Sequence, residues 1–249
     1  MARPKRWKFE YNKGIQTVTL SSWKYFHDFI REELIDSSNY VFRGQKNDNW
    51  KIEPTLIRYS NSQHKKKYET ILENQLENFK YSIRGRAKNL KDIIDIDNEL
   101  WALGQHHGLF TPFLDFTESP YVSAFFAFHE KENETTYRVI YGLSLVSVQY
   151  RLKDYFEIFK PLTDHNQRLL SQGGLFLKFK EDSDLETIFS DVFAKEDKKV
   201  KLFKIRIPTK DRNMCLKFLN SMNINHNSLF PDMEGASSYC NTKLLIDKY

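Results

Sequence analysis

Three groups of side chains in this sequence are of types that can do chemistry. The first is Arg43, followed at once by Gly44. A guanidinium presents a rigid fork of donors that matches phosphate, and a glycine beside it lets a ligand approach the backbone. The competing role is structural, with Arg43 paired to Asp115 or Glu53 to lock the fold. The second group is the hydroxyl pair Thr117 and Ser119, placed just before an apolar helical stretch. Hydroxyls at a helix start donate to a ligand or cap the helix. The third is Asp232 and Glu234, spaced two apart near the C-terminus. Asp232, directly after Pro231, suits a helix cap.

Other candidates are weaker. His106-His107-Gly108 invites a metal reading, with Asp115 as a further ligand of a nuclease-like site. Adjacent histidines point apart on a helix, however, and neither HxH nor HExxH spacing is present. Protonated histidine suits a helix C-terminus, so no metal is expected. Asp115 reads as a loop aspartate satisfying backbone amides. Gly173-Gly174 reads as a turn, because no Lys-Ser or Lys-Thr follows it to make a phosphate cradle.

These residues must be positioned by regular elements. Ile15 to Leu20 alternates as a short strand. Ser21-Ser22 offers an N-cap to a helix with Trp23, Phe26, Phe29, Ile30 and Leu34 on one face, and Ser37-Ser38-Asn39 breaks it. Tyr40 to Arg43 is β-prone and ends at Gly44. A long helix is predicted over 65–86, a loop or broken helix over 87–97 and a second helix over 98–105. Ser119-Pro120 opens another helix, with Ser as cap and Pro at its first position. Strands are predicted at 137–146, 175–179 and 200–207, a short helix at 168–172 and a helix at 209–222. A last helix or turn opens at Phe230-Pro231-Asp232.

The 249 residues allow one large domain or two small ones. With 40% hydrophobic and 29% charged residues the chain is of globular and not disordered composition. Cys215 and Cys240 are too few for a disulfide framework, and both are expected as free buried thiols. No run of about 18 apolar residues predicts a membrane span, and the basic N-terminus lacks the apolar stretch of a signal peptide, so a cytoplasmic location is expected. The net charge of +5 is a mild excess. The basic runs at 64–67 and 195–201 read as a solvated helix face and a solvated loop. The 20 Phe and 13 Tyr sit mostly at apolar-face spacing, as core.

Several segments, in this order, resemble the FRG-domain family. They are Phe42-Arg43-Gly44-Gln45 with Trp50 and Glu53-Pro54-Thr55-Leu56-Ile57-Arg58; Ala102-Leu103-Gly104-Gln105-His106-His107-Gly108-Leu109 with Thr111, Leu114-Asp115, Thr117 and Ser119-Pro120; Asn166, Arg168, Gln172-Gly173-Gly174 and Phe176; and Ser228 to Asp232 with Gly235. The sequence departs from the family at Gly104, Pro112-Phe113 and Phe116, where the family tends to Ala, Arg-Leu and Trp. An arginine on an early strand, hydroxyls before a helix and a late acid also resemble the Arg-Ser-Glu pattern of ADP-ribosyltransferases. The hydroxyl motif here is Phe116-Thr117-Glu118-Ser119 and not Ser-Thr-Ser.

That resemblance implies NAD as substrate. Arg43 and Gly44 would hold its diphosphate or ribose, His107 the dinucleotide, and Thr117 and Ser119 the nicotinamide ribose. Glu234, or failing it Asp232, would stabilise the oxocarbenium formed as nicotinamide leaves. The expected protein is a single α+β domain over 1–249, with core motifs at about 38–130 and a central, mainly antiparallel sheet flanked by helices. It would act on a macromolecular target, protein or nucleic acid, as a toxin or anti-phage defence effector, with a partner protein and no membrane. The alternatives are a non-catalytic nucleotide- or nucleic-acid-binding sensor and a metal-dependent nuclease built on His106, His107 and Asp115.

Overall fold

The computed structural model describes residues 6–36, 39–63, 67–86, 93–131, 134–162, 167–195 and 200–249. The expected helix break at Ser37-Ser38, most of the basic runs at 64–67 and 195–201, and the family residue Asn166 lie outside them.

The strands are β1 (Trp7–Asn12), β2 (Ile15–Leu20), β3 (Tyr40–Gln45), β4 (Phe113–Thr117), β5 (Tyr137–Ser144), β6 (Phe156–Phe159), β7 (Gly174–Phe179) and β8 (Leu202–Pro208). They form one sheet in the order β1-β2-β8-β5-β3-β4-β7-β6. Every neighbouring pair is antiparallel except β2 and β8, which run parallel. The fold is α+β with a mainly antiparallel sheet, as expected.

Period-2 alternation divides the strands between two cores. Val41, Val139, Tyr141 and Leu143 pack on one face with Ile57 of α2 (Thr55–Gln63) and Phe189 of α8 (Leu185–Val192). Phe42, Ile140 and Ile205 pack on the other. Their partners are Phe29 of α1 (Phe26–Glu33), Phe125 and Phe128 of α5 (Pro120–Phe128), and Leu216 of α9 (Arg212–Ser221). A third cluster joins Leu76 of α3 (Tyr68–Ser82) and Trp101 of α4 (Asp97–His106) to Phe113 and Phe176 of the sheet. The remaining helices are α6 (Leu145–Tyr150), α7 (Gln167–Ser171), α10 (His226–Leu229) and α11 (Met233–Leu245). Among the described residues no helix is long and apolar enough to cross a membrane.

Several expectations are corrected. Phe113–Thr117 is a strand, so Asp115 is not a loop residue. Its neighbours on both sides are buried and its run is only five residues long, which gave no alternating signal. Ser22 makes no side-chain cap. The Trp23 amide instead donates to Asp211 Oδ2 at 2.7 Å, a partner 188 positions away in sequence. Cys215 is buried, but Cys240 is exposed.

Candidate functional site

The site begins where β3 and β4 part. The two strands are paired at Phe42 and Thr117 alone. Beyond that pair the ladder is replaced by a side chain, as Arg43 Nη1 donates to the Asp115 carbonyl at 2.8 Å. The same nitrogen lies 3.6 Å from Asp115 Oδ2, so the structural pairing with Asp115 is real. A cleft of about 370 Å³ opens there, with Phe42, Arg43, Gly44, Asp115, Phe116 and Thr117 among its walls. That volume lies at the lower end of the roughly 300–1,000 Å³ typical of small-molecule sites.

Arg43 is 23% exposed, and its Nε is buried without a hydrogen-bond partner. Burial pulls its pKa below the ordinary guanidinium value, Asp115 opposes that fall, and Arg58 adds to it. A buried donor without a partner is costly unless a ligand or water satisfies it.

Gly44 also lines the cleft, but the need for glycine has another cause. A Cβ at this position would sit 1.8 Å from the Ser123 carbonyl oxygen and 2.6 Å from the Ala127 nitrogen. The backbone of β3 therefore lies directly on α5. Glycine is required for strand–helix packing, whatever approaches from the cleft side.

The far wall comes from α4 and α7. Gln105 Nε2 donates to Asp115 Oδ1 at 3.0 Å, and its Oε1 accepts from the Thr111 hydroxyl. His106 faces the cleft from the last turn of α4, whereas His107 is the exposed C-cap and is not among the lining residues. Gly108, at φ +84°, follows the C-cap and lets the chain leave the helix. Burial lowers the His106 pKa, with His107 and Arg168 adding to the fall. Asp232 works against it.

Arg168, on α7, is the second cation of the cleft. Its Nε donates to Asp232 Oδ2 at 2.6 Å and its Nη2 to Glu234 Oε2 at 2.8 Å. These two bonds raise its pKa. The guanidinium lies 5.2 Å from the centre of the Phe230 ring, a cleft wall. Asp232 is the N-cap of α11, accepting from the Gly235 amide at 2.9 Å. Its pKa is depressed by Arg168 first and by that amide second. Neither carboxylate lines the cleft itself; both are held at its edge by Arg168.

The hydroxyls are committed elsewhere. Thr117 lines the cleft, but its Oγ1 donates to the Gln172 carbonyl at 2.6 Å and accepts from the Ser119 amide at 3.1 Å. Ser119 caps α5, accepting from the Val122 amide at 3.3 Å, and does not line the cleft. The structure thus brings together Arg43, Gly44 and Thr117, with Asp232 and Glu234 one residue removed, and leaves His107 and Ser119 outside. Sequence reasoning missed Gln105 and Arg168 and gave His106 a part only in the metal-dependent alternative. All three stood in family segments, but only the fold shows that α4 and α7 close on β3 and β4. Among the described residues no group of three or more His, Cys, Asp or Glu side chains is placed to hold a metal ion.

The molecule is therefore an α+β protein with a cleft walled by two arginines and several phenylalanines. Residues 38–136 match the FRG domain family model. The match covers Arg43, Gly44, Gln105, His106, Asp115 and Thr117; Arg168, Asp232 and Glu234 lie beyond it. No curated protein and no solved structure matches the chain.

Proposed function

We propose that the cleft binds a nucleotide, with NAD as substrate, and that the protein is an ADP-ribosyltransferase-like enzyme acting on a macromolecular target. The observation that carries this reading is the pairing of Arg43 and Arg168 in one cleft with aromatic walls at Phe42, Phe126 and Phe230. Guanidinium groups recognise phosphate oxygens, and the aromatic faces suit a base. Arg43 offers the unpartnered Nε. Arg168 would exchange its two carboxylates for phosphate. Gln105 and His106 supply the remaining polar contacts, in place of the roles first given to His107 and Ser119.

The acid in this reading is Glu234, whose side chain is 78% exposed and, among the described residues, held only by Arg168, with Asp232 fixed as a cap. Once Arg168 has moved to the phosphates, the Glu234 carboxylate is released beside the ribose. It then stabilises the oxocarbenium formed as the glycosidic bond breaks and nicotinamide leaves. A target nucleophile, or water, completes the transfer. A toxin or defence role, with a partner protein, remains part of this proposal.

One observation favours the sensor alternative. Asp115, Asp232 and Glu234 are all paired with arginine, so among the described residues no unpaired carboxylate borders the cleft. Incubation with NAD labelled in the nicotinamide ring separates the two. Nicotinamide release by the wild-type protein, lost in Glu234→Gln, supports the enzyme. Binding of NAD without release supports the sensor, and no binding rejects both.

A further inference from the structure

A second cavity, of about 610 Å³, lies on the other side of Phe230. Two observations join it to the cleft. Phe230 lines both. Glu234 lines the second cavity while its carboxylate is held at 2.8 Å by Arg168, which lines the first. The ion pair therefore stands at the lip shared by the two spaces.

Their lining chemistry differs. The first space carries the exchangeable cation. The second is walled by the His226 ring, stacked with Phe230 at 6.0 Å and an interplanar angle of 27°. Ser238, Asn241 and Thr242 of α11 add neutral polar groups. Besides Glu234, its charged lining comprises Lys131, Glu130, which is ion-paired with Lys46, and Arg212, which donates to the Phe128 carbonyl at 2.9 Å and the His129 carbonyl at 2.6 Å. Flat rings with hydroxyl and amide groups suit a nucleoside, which offers a base to stack and ribose hydroxyls to bond.

We infer that the two cavities form one dinucleotide site, with one nucleoside in the cleft, the diphosphate on Arg168 at the shared lip, and the second nucleoside against His226 and α11. The inference rests on the nucleotide reading above and extends it. A cleft of about 370 Å³ is small for two nucleosides and their diphosphate together. Burial lowers the His129 and His226 pKa values, which keeps both imidazoles neutral and the second cavity free of their charge at neutral pH. Binding would displace Asp232 and Glu234 from Arg168 and free Glu234 to turn toward the ribose next to the diphosphate.

Calorimetric titration of the full chain with NAD, adenosine monophosphate and nicotinamide mononucleotide tests this. The variants are Arg43→Ala for the cleft and the double substitution Ser238→Leu with Asn241→Leu, which fills the second cavity with aliphatic bulk on half-buried and exposed helix positions. NAD affinity should fall at least about tenfold in each variant, the loss of roughly one good polar contact. At least one mononucleotide should bind the double variant as it binds wild type, which also shows that this variant is folded. Wild-type NAD affinity in the double variant would overturn the inference while leaving the cleft intact. Failure of wild type to bind NAD, or wild-type affinity in Arg43→Ala, would instead overturn the nucleotide reading and this inference with it.

Discussion

At the residue scale the central group is Arg43, which has two partnerships to serve. Its Nη1 closes the gap between β3 and β4 through the Asp115 carbonyl, and its Nε is left for something else. Arg43→Lys keeps the charge but loses the fork, so it should weaken NAD binding nearly as much as Arg43→Ala. The expected loss in titration is about 1.5–3 kcal/mol, the worth of a hydrogen bond to a charged group. Glu234→Gln should act differently. Its charge matters once the ribose becomes cationic, so kcat should fall by roughly a hundredfold to a thousandfold with NAD affinity nearly unchanged. Asp232→Asn is the control, since asparagine still caps α11 but no longer carries charge to Arg168. A loss of turnover in that control with Glu234→Gln still active would exchange the two acids. Arg43 was legible in the sequence because an arginine beside a glycine in a β-prone apolar segment is conspicuous, although β3 runs on to Gln45 and does not end at Gly44. Arg168 was not, because its importance comes from two carboxylates 64 and 66 positions away.

At the element scale the constraint is the contact of β3 with α5. Gly44 has no Cβ because the Ser123 carbonyl occupies its place. Gly44→Ala should destabilise by at least about 3 kcal/mol, the upper end of overpacking costs, since the obstruction is backbone and not a side chain that can swing away. For a domain of this size that is a fall in melting temperature of roughly 6–12 °C, measurable by thermal denaturation. An unchanged melting temperature would mean that α5 does not rest on β3 as described. The sequence reading gave this glycine to a ligand because adjacency to arginine was the only visible clue. Helix starts were more legible where the cap is local. Ser119-Pro120 and Asp232 both cap the helices they precede. The start at Trp23 was misread because its partner, Asp211, comes from the other end of the chain. Four of the five residues of β4 are buried and carry no alternation around the exposed Asp115, so the strand that holds it stayed hidden.

At the scale of the whole molecule, the α+β class and the mainly antiparallel sheet followed from the order of strand-like and helical segments, but the cleft did not. It depends on which strands part and which helices cover the gap, and neither is a local property. The packing also buries His129, lowering its pKa from 6.5 to about 4, chiefly through lost solvation. The folded protein then binds fewer protons than the unfolded chain between those values. Stability is full above about pH 6.5 and declines as pH falls toward about 4, by on the order of 3 kcal/mol for this group. His106 and His226 are shifted in the same direction. Melting temperatures taken between pH 7.5 and 4.5 should fall steadily, and His129→Asn should flatten the slope. An equal slope in the variant would place the titration elsewhere. The measurement that bears most directly on the account is calorimetric titration of the wild-type protein with NAD beside Arg43→Ala, both shown folded by thermal melting. The predicted result is saturable binding to wild type, weakened at least about tenfold in the variant. Absence of binding to wild type, or equal affinity in the two proteins, would contradict it.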